Sequence, residues 1–323
     1  MSTAYGILSD GTLMVKRSRV IESEPALIAR IARWAAPGRA GGLVVGIGDD
    51  CAIFRPRGSA QDLLFTTDML IEDVHFTASS AGPADVGWKA LARGLSDIAA
   101  MGGEPRFCLL SLALSPHTGA RWVDGFYRGL LRLASREKTP LAGGDLGHAE
   151  KLMCDIVVCG AVPRGTALRR DGACAGDAVY VSGRLGGSSL GLATHQGKAW
   201  RRHLRPEPRL ALGRFLRERL GATACMDLSD GLSLDLGRLA AASRLSAEIE
   251  APPLYPGASL EQALDGGEDY ELLFTAPPRT RVPEAFEGLP LTRIGRMRRG
   301  RAGAVKLDGR GLEPRGYDHL RRP

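Results

Sequence analysis

The chain has 323 residues, 44% hydrophobic and 24% charged, an ordinary globular make-up with room for two domains. No apolar run reaches the roughly 18 residues that a membrane span requires, which excludes a transmembrane role. The net charge is +7, all of it arising after residue 278, where twelve Lys/Arg face five Asp/Glu; that stretch lacks interleaved aromatics, so no nucleic-acid partner is expected.

The opening "MSTAYGILSDGTLMVKRSRV" has neither a sustained apolar stretch nor a small-residue cleavage site. Residues 1–20 therefore read as an extension and the protein as cytoplasmic. "SEPALIARIARW" (23–34) reads as a helix capped by Ser23, with Leu27, Ile28, Ile31 and Trp34 on one face. Strands follow at "LVVGI" (43–47), "DLLFTTD" (62–68) and "FCLLSLAL" (107–114). Between the last two, Trp88, Leu91, Leu95 and Ile98 recur at helical spacing, and Gly102–Gly103 ends the helix. A second helix covers 120–137, then strands cover 140–145 and 152–162. The polar, glycine-rich stretch 163–177 marks a domain boundary. Beyond it come strand "AVYVSG", the turn "RLGGSSLG", further helices, and strands in "DGGEDYELLFTA" and "LTRIGRM". Strands and helices alternate in both halves, so the class is α/β or α+β. Six cysteines without a C-x-x-C pair read as mostly buried free thiols in a reducing compartment.

The acidic residues repeat one context. Asp49 and Asp50 follow "LVVGIG", Asp68 follows "LLFTT", Asp145 follows "PLAGG", and Asp227 and Asp230 follow "TACM". Each is an apolar run, small residues, then Asp, and Asp97 joins them from a helix. Ligands of open α/β sheets gather beyond the carboxyl ends of strands, so these carboxylates are expected to converge. Converging carboxylates repel unless they share protons or metals. Without a His or Cys cluster, the fitting metal is hard and oxygen-seeking, Mg²⁺, bound together with substrate phosphate. The start of a helix near Ser229–Asp230 would add free N–H groups for phosphate, or be a plain N-cap by one of those residues. There is no G-x-x-x-x-G-K-[ST] loop and no protein-kinase signature, so a nucleotide would bind by another architecture.

"GIGDDCAIF", "FTTDMLIEDVHF", "WKALARGLSDIAAMGGEP", "LAGGD", "HLRPEPR", "MDLSDGLSLDLGRL", "GGEDYELLF" and "GYDH" occur in the order found in the thiamine-monophosphate kinase family. The chain resembles that family over roughly residues 23–320. The resemblance extends to the wider aminoimidazole ribonucleotide synthetase-like superfamily. It implies a two-domain fold, residues 21–163 binding ATP and Mg²⁺ and 164–323 forming a C-terminal α/β domain, with the N-terminal sheet pairing across a homodimer. It also implies transfer of the ATP γ-phosphoryl group to thiamine monophosphate, with several Mg²⁺ ions and no dedicated catalytic base. By motif, Asp49, Asp50, Thr66, Thr67, Asp68, Asp97, Asp145, Asp227 and Asp230 correspond to the metal set. Thr66, Tyr127, Gly144, Asp145, Arg170 and Ser229 correspond to ATP contacts, and His75, Glu268 and Tyr317 to substrate contacts. Relatives often carry an aromatic residue shortly before "GYDH"; here Pro314 and Arg315 stand there. Two other readings remain open on the residues: another ATP-dependent superfamily enzyme, or a non-catalytic binder of thiamine phosphate or nucleotide.

Overall fold

The computed structural model describes residues 6–7, 13–14, 24–35 and 41–317, which fall into two units, one before residue 36 and one from 41 to 317. In the smaller unit β1 (Gly6–Ile7) pairs antiparallel with β2 (Leu13–Met14), and α1 runs over Glu24–Trp34. The rest of the expected 1–20 extension and the Ser23 cap lie outside the described residues. Ile28, Ile31 and Trp34 of α1 are exposed.

The larger unit holds two sheets. The first comprises β3 (Leu43–Val45), β4 (Ala52–Phe54), β5 (Gln61–Ile71), β6 (Glu104–Leu114), β7 (Leu141–His148) and β8 (Met153–Pro163), in the order β3-β4-β5-β8-β6-β7. Only its β6–β7 pair is parallel. Helix α2 (Pro83–Ala100) lies against β5 and β8, and α3 (Ala120–Arg136) lies against α2. Leu64 and Leu70 of β5 and Ile156 and Val158 of β8 pack on Leu91, Leu95 and Ile98 of α2 in one buried cluster. The helices approach closely where glycines face backbone: a Cβ at Gly87 would stand 2.0 Å from the Phe126 carbonyl, and one at Gly129 1.9 Å from that of Ala84. The other face of this sheet is open, with Thr67, Met69, Leu109 and Leu146 exposed.

The second sheet comprises β9 (Ala178–Ser182), β10 (Ala224–Asp227), β11 (Ser246–Ile249), β12 (Leu272–Ala276), β13 (Ala285–Phe286), β14 (Leu289–Arg298), β15 (Val305–Leu307) and β16 (Arg310–Leu312). Its order is β10-β12-β9-β14-β11-β15-β16, with β13 on β14. The helices of this half are α4 (Gly187–Thr194), α5 (Gly197–Leu204), α6 (Leu210–Phe215), α7 (Leu232–Ala242) and α8 (Leu260–Asp265). A further buried cluster joins Ala99 and Ala100 of α2 to Leu212 of α6 and Phe274 of β12. With neighbours on all sides, α2 is buried along nearly its whole length. The basic end of the chain supplies strands, and Arg296 and Arg298 both pair with Glu248.

The mixed α/β class holds, with most pairings antiparallel. One expectation is corrected. Asp68 and Asp145 do not end strands: β5 runs on through Met69–Ile71 and β7 through His148. The alternation continues past Asp68, with Met69 exposed and Leu70 buried, so nothing stops the strand there. Asp227 does close a strand, and Asp49–Asp50 follow β3. Cys51, Cys108, Cys154, Cys159 and Cys225 are buried and Cys174 is exposed, all unpaired. No helix among the described residues is long and apolar enough to cross a membrane.

Candidate active site

Helix α2 organises the site. Its sequence is apolar nearly all round, yet Lys89, Arg93, Ser96 and Asp97 interrupt it at positions i, i+4, i+7 and i+8, which share one helical face. Together they meet three segments: β5, the end of β10 and the Glu268 turn. Asp97 Oδ2 accepts from the Thr66 hydroxyl on β5. Ser96 donates to Asp227 Oδ2 at 2.6 Å, at the end of β10. Arg93 pairs with Asp68 at 2.9 Å. Lys89 pairs with Glu268 at 2.8 Å. Thr66 and Asp68 sit two residues apart on β5 and so face α2 together, alongside Leu64 and Leu70.

Asp50, Asp97 and Asp227 converge. Each offers a carboxylate oxygen, and the three oxygens lie within 4.8 Å of one another. Burial first, then the neighbouring carboxylates, raise the Asp97 and Asp227 carboxyls well above their ordinary range. Burial, and then the charge of Asp50, push Asp49 up to about 7. Burial also raises Asp68, although Arg93 opposes it. Three carboxylate oxygens crowded together, two of them on buried residues and none beside a histidine or thiolate ligand, suit a hard divalent cation, which would relieve their mutual repulsion. Arg170 supplies a countercharge, its Nη2 lying 2.6 Å from Asp50 Oδ1 and its backbone N–H 3.3 Å from Asp49 Oδ2.

The "DLSDG" and "GGEDY" segments are laced together behind the cluster. The Glu268 N–H donates to the Ser229 carbonyl at 2.7 Å, that of Tyr270 to Leu228 at 2.9 Å, and that of Leu228 to Glu271 at 2.8 Å. A Cβ at Gly267 would stand 2.6 Å from the Ser229 carbonyl, and Glu268 itself adopts φ 64°, a left-handed conformation that a non-glycine residue holds only when its surroundings impose it. Neither Ser229 nor Asp230 caps α7. Gly231 occupies the cap position, and Asp235 Oδ2 accepts from the N–H groups of Asp230 and Gly231 at 3.0 and 3.1 Å. The cap comes from inside the helix because the glycine turn directs those N–H groups toward the buried Asp235. Asp230 pairs with Arg238, which also pairs with Asp235 one turn before it.

A cavity of about 260 Å³ opens beside Lys89 and Glu268, lined among others by His75, Phe76, Trp200 and His203. His75 Nδ1 accepts the Ile71 N–H at 3.0 Å, which places the proton of the neutral ring on Nε2. Burial works against the charge of Glu268, but Lys89 above all, with Arg93 beyond it, outweighs burial and holds its carboxyl below the usual range. The rings of His195, Trp200 and His203 stack in series, with centroids 4.5 and 5.2 Å apart.

The structure thus brings together Asp49, Asp50, Thr66, Asp97, Asp227 and Arg170, and joins Asp68 to them through α2. It places His75 and Glu268 in one cavity. It does not bring in the β7 residues or Thr67. Asp145 is aligned with Ser111, Asp155 and Met69 across β7, β6, β8 and β5, and Thr67 donates to Asp155 at 2.7 Å, so these side chains lie on the open face. Tyr127 packs at the edge of the first core against Phe126, 5.5 Å between centroids. The Tyr317 N–H donates to the Asp230 carbonyl at 3.0 Å, and its ring is absent from the described lining of the His75–Glu268 cavity. Arg315 is tied by its N–H to Ser233 at 3.3 Å. The sequence reading missed Lys89, Arg93, Ser96, His203 and Asp235. The signal for the first three was present: a charged or hydroxyl residue recurring on one stripe of an otherwise apolar helix.

Fold and site together define a mixed α/β protein built around clustered aspartates, and residues 48–164 match the N-terminal domain of AIR synthase related proteins. The chain is 38% identical to the thiamine-monophosphate kinase of Escherichia coli strain K12 over 307 residues, 86% of this chain and 93% of that protein. It superposes on AaThiL complexed with AMPPCP and TMP with a TM-score of 0.80, at 35% identity, covering 92% of this chain and 97% of that one. The thiamine-monophosphate kinase from Stenotrophomonas maltophilia K279a aligns with a TM-score of 0.71 and 37% identity over 90% of this chain and 98% of that one. The chain belongs to the thiamine-monophosphate kinase family, and it is a kinase.

Proposed function

We propose that this protein transfers the γ-phosphoryl group of ATP to the phosphate of thiamine monophosphate, giving thiamine diphosphate and ADP. The bond from γ-phosphorus to the β–γ bridging oxygen breaks, and a substrate phosphate oxygen forms the new P–O bond. A phosphate monoester is already a nucleophile near neutral pH, so positioning and charge neutralisation carry the reaction. The observation that carries this reading is the convergence of Asp50, Asp97 and Asp227, next to Arg170 and one helix away from the His75–Glu268 cavity. Related kinases and a relative complexed with AMPPCP and TMP support it.

In this reading Asp50, Asp97 and Asp227 hold Mg²⁺, with Asp49, Thr66, Asp68 and Asp230 around it. Bound magnesium supplies charge neutralisation between the two phosphates. Arg170, which pairs with Asp50, would contact ATP phosphate, as would Ser229. His75 and Glu268 contact the thiamine portion. Asp145, Gly144, Thr67 and Tyr127 require a different account. The open face of the first sheet, with Met69, Leu109 and Leu146 exposed, supports a homodimer in which these sheets meet and Asp145 serves the partner's nucleotide. Residues 21–163 and 164–323 are proposed as its two domains.

The test is chromatographic. Incubation with ATP, Mg²⁺ and thiamine monophosphate should yield thiamine diphosphate. Free thiamine in place of the monophosphate should yield none. Diphosphate formed from free thiamine would reverse the assignment of the acceptor.

A further inference from the structure

Lys89 is 2% exposed, one of the largest fully buried side chains of the protein. A buried ammonium needs all three of its N–H groups satisfied. Three acceptors surround this one: Glu268 Oε2 at 2.8 Å, the His75 carbonyl at 3.2 Å and His203 Nε2 at 3.4 Å. The last contact requires a neutral His203 with its proton on Nδ1, which lies 2.9 Å from Ser188 Oγ. Burial, and then Lys89, push His203 down to about 4, so the ring is neutral near pH 7.

Glu268 is thereby fixed on one side only. Its Oε2 is taken by Lys89, whereas Oε1 is buried and has no hydrogen-bond partner. Glu268 lines the cavity that also contains His75. An ionised carboxylate oxygen without a donor is costly unless a ligand supplies one. The same lysine also holds the His75 backbone, so one ammonium registers both groups assigned to the substrate.

We infer that Lys89 is the positioning residue of the thiamine pocket: it clamps Glu268 Oε2 and the His75 carbonyl so that Glu268 Oε1 presents its lone pairs to a donor on the substrate's cationic, nitrogen-bearing ring system. This rests on the reading of Glu268 as a thiamine contact. The contacts of Lys89 are with Glu268, His75 and His203 and not with the Asp50–Asp97–Asp227 cluster, so its removal acts on substrate affinity rather than on the transfer step.

The experiment compares steady-state kinetics of Lys89→Met, Glu268→Gln and the double variant, with thermal midpoints measured for all three. Lys89→Met is expected to raise KM for thiamine monophosphate about ten-fold or more, leaving KM for ATP and kcat within about two-fold. Glu268→Gln should do the same. The double variant carries no unpaired buried charge, so it folds even where Lys89→Met does not, and its KM should match that of Glu268→Gln alone. A double-variant KM a further ten-fold higher would mean that Lys89 acts independently of Glu268 and would overturn the inference. So would a Lys89→Met protein that loses thermal stability and kcat while keeping its KM. If Glu268→Gln itself leaves the KM for thiamine monophosphate unchanged, the reading of Glu268 fails, a result distinct from failure of Lys89 alone.

Discussion

Lys89, which grips Glu268, and Asp97, which joins Asp50 and Asp227, occupy the same face of α2 eight residues apart, so their backbone positions are about 12 Å apart along the helix axis. Arg93 lies between them and holds Asp68. A phosphoryl transfer needs its acceptor and donor held in line. Here a single helix, buried between two sheets, sets the spacing of the His75–Glu268 cavity from the carboxylate cluster.

Relief of repulsion within the cluster should be measurable without activity. Asp97→Asn removes one of three crowded carboxylates but keeps a side chain that can bond Thr66. The metal-free variant should be more stable than the parent by about 1 kcal/mol, a rise of roughly 2–3 °C in thermal midpoint. Added Mg²⁺ should stabilise the parent, by about 2.7 kcal/mol at a hundred times its dissociation constant, and should leave the variant nearly unmoved. Scanning fluorimetry with and without Mg²⁺ checks both.

Kinase turnover should fall by at least about a hundred-fold in Asp97→Asn and Asp227→Asn, the scale on which loss of one charge-stabilising group acts. Arg170→Met should raise KM for ATP more than KM for thiamine monophosphate, since Arg170 stands against Asp50 and not in the His75 cavity. Initial rates with each substrate varied in turn separate these effects.

The position of Asp145 on the open face makes subunit mixing informative. Asp145→Asn and Asp97→Asn should each be inactive alone. If Asp145 serves the neighbouring subunit, half of the dimers after mixing are hybrids, each with one intact site, and about a quarter of parental activity should return. No recovery would place both residues in the same subunit's site.

His203 gives the pH dependence a sign. Its pKa is about 4 in the folded protein against an ordinary 6.5, chiefly because of burial. Between these values the unfolded chain takes up a proton that the folded chain does not. The stability is therefore fully present above about pH 6.5 and is lost as pH falls toward 4, by about 2 kcal/mol at pH 5. His203→Gln should show a correspondingly smaller drop in thermal midpoint between pH 7 and 5.

Much of this site was legible in the sequence. The repeated Asp after small residues marked Asp50 and Asp227, and the buried helix carrying Asp97 was visible in its apolar spacing. What could not be read was which face of a strand each carboxylate takes. Asp68 and Asp145 share a local pattern, yet one faces α2 and the other the open face, because their strands pair in different registers. The cap by Asp235 was hidden because it acts backward from within the helix. The stripe that carries Lys89 was visible, but its partners Glu268 and His203 lie more than a hundred residues away, and nothing in the basic helix of His203 marks that ring.

Phosphorus NMR of the purified protein with ATP, Mg²⁺ and thiamine monophosphate, run beside Asp97→Asn, tests the central claim most directly. The account predicts that the thiamine monophosphate resonance gives way to the two resonances of thiamine diphosphate as ADP accumulates, and that the variant leaves the starting spectrum intact. Diphosphate formation by the variant at the parental rate would contradict the role of the carboxylate cluster, and ADP released with inorganic phosphate alone would contradict the acceptor.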